Sequence, residues 1–140
     1  VRLVGSEMCI RDRDHTVLLV REYSAGLERY ELGFVKGGLE KDELVEDAAN
    51  REMREEVGYA AKEFILLKNV SVWPNYSSFE TSIFMANRLY RDPLIGDEPE
   101  EIEILEWPVK NLDALRSRKD FTDARSLLAT YLIQDYIKNK

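Results

Sequence analysis

KGGLEKDELVEDAANREMREEVGY, residues 36–59, joins a glycine-bearing loop to a stretch of helical period. Apolar and polar residues recur at helix spacing from about Leu44 to Val57, and Gly58 stands where a helix commonly ends on a glycine cap. With Glu52 set at zero and about 100° per residue, Glu56 falls near +40° and Glu55 near −60°, so three carboxylates share one sector. Ala49, Met53 and Val57 follow at about +60°, +100° and +140°, which puts the acidic sector beside the buried stripe and not opposite it. Like charges at these spacings destabilise a helix by roughly a few tenths of a kcal/mol per pair, and by more when partly dehydrated, so a positive partner is expected. Arg51 and Arg54 offer ordinary ion pairs; a hard divalent cation offers oxygen coordination instead. Helical spacing alone leaves both open.

On either side the chain reads as strands. HTVLLVREY (15–23) is strongly apolar and YELGFV (30–35) is a second, short strand. FILLKNVSVW (64–73) is stopped by Pro74, FETSIFMANRL (79–89) is another strand, and IEILEWP (102–108) is closed by Pro108. RDPLIGDEPEE (91–101) is an acidic loop. A short helix is expected near Leu112–Leu115, and a longer one over about Asp123–Ile137, capped by Thr122, with Leu128, Tyr131, Leu132 and Tyr136 toward the core. Trp107 is read as core. Strands interrupted by one central helix and closed by a terminal one predict an α/β fold, a mixed sheet with helices against its faces.

The chain has 140 residues, the size of one domain. Twenty basic against 27 acidic residues give a net charge of −7, which argues against nucleic acid or anionic lipid as partner. A polyphosphate substrate stays compatible with such a surface when a cation neutralises it. No apolar run approaches the roughly 18 residues that span a bilayer, so no membrane association is expected. Cys9 is the single cysteine and His15 the single histidine. They allow no intrachain disulfide and no thiolate zinc cluster, and they suit a reducing, cytoplasmic setting. VRLVGSEMCIRDRD (1–14) fits no clean strand or helix period, and SEMCIRDR resembles translated adapter DNA. The expectation is one domain over 14–140, preceded by a non-native or truncated segment over 1–13.

Residue order goes further than spacing. Gly37, five residues, Glu43, seven residues, then Arg51-Glu52-Met53-Arg54-Glu55-Glu56-Val57-Gly58-Tyr59 resembles the signature of the Nudix hydrolases. Every fixed position is filled except the last, where Tyr59 replaces the family's usual aliphatic residue. The resemblance runs from Asp14 to the C-terminus. It implies a Nudix α/β/α sandwich around a mixed sheet, with Mg2+ or Mn2+ held by the loop and helix against a substrate diphosphate. It implies that Glu52, Glu55 and Glu56 are metal ligands and that Glu43 takes an outer or accessory metal position. Arg51 and Glu55 join the catalytic set, Arg51 by orienting carboxylates through ion pairs, and Gly38 of the loop contacts substrate.

Outside this signature, Pro74 lies 16 residues after Gly58. It and the strings REYSAGLERYELGFVKGG, SVWPNYSS and GDEPE are similar to family members that hydrolyse ADP-ribose and other ADP compounds. The implied activity is cleavage of ADP-ribose, NADH and diadenosine polyphosphates to release AMP. An ADP-ribose-specific diphosphatase and a non-catalytic nucleotide sensor are the alternatives. Gly33-Phe34-Val35-Lys36 stands where ADP-ribose enzymes carry proline and alanine, which favours the broader range. Glu31 is implied to read adenine, Arg21 to reach the nucleotide and Pro74 to border it. Plain ion pairs suit the charged two as well, Glu31 with Arg29 or Lys36, and Arg21 with Glu22 or a neighbour. Tyr30, Phe34, Trp73 and Tyr76 are candidates for stacking on adenine or for packing at the rim. Glu98, with Glu100 in reserve, matches a catalytic glutamate of a mobile acidic loop. The resemblance also implies a homodimer for the native full-length protein.

Overall fold

Val17, Leu18, Leu19 and Val20 are all buried in β2 (Thr16–Ser24), which a strand's alternation permits only when both faces of its sheet are covered. The computed structural model, which describes residues 3–11, 15–95 and 102–139, shows both covers. Val17 and Leu19 pack in one cluster with Leu112, Leu115, Ala129 and Ile133. Leu18 and Val20 pack in another with Met53 and Val57. β6 (Glu80–Arg91) repeats the split, with Ile83 and Met85 in the first cluster and Ala86 in the second. Helix α1 (Val45–Glu56) therefore covers one face, and α2 (Leu112–Arg116) with α3 (Ala124–Lys138) covers the other. This is the expected α/β/α sandwich. Among the described residues no helix is long and apolar enough to cross a membrane.

The remaining strands are β1 (Leu3–Arg11), β3 (Arg29–Gly33), β4 (Val35–Gly38), β5 (Tyr59–Ser71) and β7 (Glu103–Pro108). The sheet runs β3-β2-β1-β6-β5, with β4 also beside β1 and β7 beside β2. β1 and β6 are parallel, and the other pairings are antiparallel. Register aligns Gly38 with Leu3, Leu3 with Thr81, and Thr81 with Val70. The glycine loop and the β5–β6 turn consequently lie at one end of the sheet.

Several expectations change. Residues 3–11, which offered no period, form the central strand β1. YELGFV is two strands: Gly33 still pairs with Val20 of β2, whereas Val35 pairs with Glu7 of β1. Phe34 makes the crossing, and its N–H donates to the buried Ser126 Oγ at 3.2 Å. A backbone donor inside the core needs such a partner, so the side chain of α3 replaces the ladder there. The cap of α3 is Asp123, not Thr122; its carboxylate accepts from the Ser126 N–H at 3.0 Å. The buried residues of α3 are Ser126, Ala129, Thr130 and Ile133, small at its centre where the helix sits against the sheet. Leu128, Leu132 and Tyr136 pack only at the margin. Tyr131 is about half exposed, with the Arg116 guanidinium 4.1 Å above its ring. Trp107 is partly buried, and its indole N–H donates to the Asn111 carbonyl at 2.8 Å. α1 ends as read: Gly58 has φ 76°, and the N–H groups of Val57 and Gly58 both reach the Met53 carbonyl.

Candidate active site

Arg51 ties the loop to the helix. Its Nε and Nη2 donate to the two oxygens of Glu43 at 2.9 and 3.1 Å, and Nη2 also donates to the Gly38 carbonyl at 2.9 Å. Its Nη1 donates to Glu52 at 2.9 Å and lies 3.5 Å from Glu55. Glu43 accepts a further bond from the Glu40 N–H at 3.0 Å, so both ends of its carboxylate are engaged. A planar fork suits this task, because it bonds several carboxylates in fixed directions. The hydrogen bond from Arg51 holds the Glu43 carboxyl below its ordinary range against the opposing effect of burial. In return, Glu43 foremost, and Glu52 after it, push the guanidinium above its ordinary value. Helical spacing alone left ion pairing and metal as rival compensators, and residue order favoured metal; the structure shows ion pairs of Arg51 with the carboxylates.

Gly37 leaves room for Glu52. A Cβ built there would collide with the carboxylate end of that side chain, so any larger residue at this point of β4 would displace the carboxylate. Glu52, Glu55 and Glu56 lie on one sector of α1 beside the buried Met53 and Val57. These are hard oxygen donors with no sulfur or imidazole among them, and the open space above Gly37 admits Glu52, so the donor set fits a divalent cation. Among the described residues, no three metal-binding side chains already surround a common point; Arg51 is what gathers Glu43, Glu52 and Glu55.

From Phe34 to Gly37 the chain alternates strictly. Phe34 and Lys36 face α3, while Val35 and Gly37 face α1. On the α3 side opens a cleft of about 460 Å3 lined by Glu22, Tyr23, Glu31, Lys36, Asp123 and Arg125, among others. It does not include the carboxylates of α1; β4 separates the two. Lys36 Nζ donates to the Phe34 carbonyl at 3.3 Å. Burial works to raise the Asp123 carboxyl, but the charges of Lys36 and Arg125 and the Ser126 N–H hold it low.

Glu31 lies in this cleft wall with its carboxylate largely covered. It accepts from Arg29 Nε at 2.7 Å, the ion pair foreseen as the plain alternative, and from the Thr122 N–H and hydroxyl at 3.3 and 3.2 Å. Leu32 N–H adds a 2.7 Å bond to the Asp120 carbonyl, which fastens residues 120–122 along β3. Arg21 does not line the cleft. Its Nη1 donates to Asp120 at 3.2 Å, its Nε lies 3.9 Å from Glu103 of β7, and its guanidinium stands 5.9 Å from the Tyr30 ring centre. Pro74 is exposed in the turn after β5, and Gly38 lies beside Arg51. Glu98 and Glu100 fall in residues 96–101, outside the described residues. Sequence reasoning missed Lys36, Thr122 and Asp123 as cleft residues. The spacing from Asp123 to Ser126 is a capping signal, but nothing local announces that Thr122 meets Glu31.

A carboxylate helix locked to a glycine loop at one end of an α/β/α sandwich is an arrangement suited to a hydrolase that works with a divalent metal ion. The chain belongs to the NUDIX family, whose domain its residues 2–130 match. It is 41% identical over 127 residues to the ADP compounds hydrolase NudE of Escherichia coli (strain K12), covering 91% of this chain and 68% of that protein. It is 28% identical over 120 residues to the ADP-ribose pyrophosphatase of Bacillus subtilis (strain 168), covering 84% of this chain and 65% of the relative. A crystal structure of an ADP compounds hydrolase superposes with a TM-score of 0.93 at 39% identity, covering 99% of this chain and 73% of that one.

Proposed function

We propose that this protein hydrolyses the diphosphate link of ADP-ribose and related ADP compounds, NADH and diadenosine polyphosphates among them, releasing AMP. The observation that carries this reading is the Arg51 network, which joins Glu43, Glu52, Glu55 and the Gly38 carbonyl across the loop and helix. Glu52, Glu55 and Glu56 would hold a divalent ion, Mg2+ or Mn2+, which when bound would neutralise phosphate oxygens and make a water more acidic. Arg51 orients the carboxylates, and Glu43, bound on both oxygens, takes the outer position that keeps Arg51 in place. Gly37 and Gly38 bring bare backbone up to the diphosphate. Glu31, with the cleft around it, receives the adenosine, and Arg21 and Pro74, which lie outside that cleft, are further substrate-binding candidates. Glu98, with Glu100 in reserve, accepts the proton of the attacking water, since carboxylates engaged by metal are poorer bases. The protein acts in the cytoplasm as a homodimer.

Product analysis with ADP-ribose and Mg2+ or Mn2+ tests the reading. The expected products are AMP and ribose 5-phosphate. Glu56→Gln is expected to lower turnover by about 10²-fold or more, and Glu98→Gln to lower kcat by about 10²- to 10⁴-fold with ADP-ribose affinity retained. Equal turnover by wild type and Glu56→Gln would remove the metal site from the mechanism.

A further inference from the structure

A second cleft, about 660 Å3, lies across the N-terminus of α3 from the first, and Asp123, Ala124 and Arg125 line both. Its other walls include the apolar side chains of Val70, Val72, Trp73, Phe79 and Leu128. Trp73 is anomalous there. Its φ of 55° is left-handed, a conformation costly for a bulky side chain. Burial does not offset that cost, because the residue is 74% exposed. The turn around it is nonetheless well fastened: the Tyr76 and Ser77 N–H groups both reach the Trp73 carbonyl at 2.9 Å, and Val72 N–H reaches the Phe79 carbonyl at 2.9 Å. A strained, hydrogen-bonded turn thus presents an indole to solvent at a cleft rim, the kind of stored strain that accompanies a ligand clamp.

The place of this cleft in the sheet gives it an occupant. The register row Gly38, Leu3, Thr81, Val70 sets the cleft wall three strand spacings, roughly 14 Å, from the glycine loop. Both lie at the same end of the sheet, so a nucleoside attached to a diphosphate lying over the loop reaches the cleft around that end and not through the sheet. The first cleft, on the other side of Asp123–Arg125, is the more polar of the two and carries Glu22, Glu31 and Lys36; the second is predominantly apolar and has an aromatic rim. We propose that the second cleft binds the second aromatic base of a dinucleotide, stacked on Trp73. This rests on the diphosphate-hydrolase reading above and goes beyond it by assigning the half of the substrate that ADP-ribose lacks.

Trp107→Phe leaves Trp73 as the single tryptophan, so its fluorescence reports the cleft alone. With metal chelated, saturating NAD+ is expected to quench that emission and saturating ADP-ribose to leave it. In steady-state kinetics, Trp73→Ala is expected to raise the ratio of KM for NADH to KM for ADP-ribose about tenfold, and Trp73→Phe to restore most of it. An unchanged ratio, or equal quenching by both nucleotides, would overturn the assignment. So would a change in molecular mass of Trp73→Ala by light scattering, which would make this face a contact between copies. Should wild type release AMP from no ADP compound, the hydrolase reading falls, while the NAD+ titration still settles whether the cleft holds a base.

Discussion

At the scale of single residues, Gly37 links shape to chemistry most directly. The group that an added Cβ would strike is the carboxylate end of Glu52, not backbone, so a substitution displaces the functional group and leaves the strand in place. Gly37→Ala is therefore expected to shift Tm by only a few degrees while lowering kcat/KM about 10²-fold, the scale of effect that a misplacement of about 1 Å produces. Thermal denaturation read beside initial rates checks this; a variant as active as wild type would show that Glu52 relocates at no cost. Much at this scale was legible beforehand. The wheel set Glu52, Glu55 and Glu56 on one sector, and Gly58 takes the positive φ of a helix stop. Contacts remote in sequence were not legible. Glu31 meets Thr122 across 91 positions, and no local pattern encodes that meeting.

At the scale of elements, the N-terminus of α3 joins the most parts. Asp123 caps it, Ser126 secures the strand crossing at Phe34, and both clefts abut it. Asp123→Ala is expected to cost about 1 kcal/mol at pH 7. The folded carboxyl is held below its unfolded value, so its contribution is fully present above about pH 4 and is lost as pH falls through the folded pKa. Urea denaturation of wild type and variant at pH 7 and near pH 3 should show their difference narrowing in acid. A pH-independent difference would mean that the loss is one of packing and not of charge. Reading Thr122 as the cap was a one-residue error with a physical cause: both side chains make good caps, and only the tertiary pull of Glu31 on Thr122 separates them. The division of YELGFV had the same kind of cause, since β-propensity does not specify which neighbour a strand pairs with.

At the scale of the whole molecule, layering was readable because Val17–Val20 is apolar without alternation, which demands cover on both faces. The place of β1 was not, because centrality in a sheet leaves no mark on nine residues of mixed polarity. Assembly adds the last prediction. Light scattering on the protein is expected to give twice the monomer mass. A strictly monomeric and fully active native protein would overturn the homodimer.

The alternation from Phe34 to Gly37 bears on how such a protein can change over generations. One strand carries a recognition surface on one side and a catalytic surface on the other, in register by a single step of the backbone. Replacing Lys36 alters what the cleft admits and leaves the opposite side alone. Inserting or deleting one residue would exchange the two sides at a stroke, turning Lys36 toward the carboxylates. Drift in this segment is thus free to vary in identity at Lys36 alone and forbidden to vary in length, so new substrates can be explored without reopening the question of catalysis.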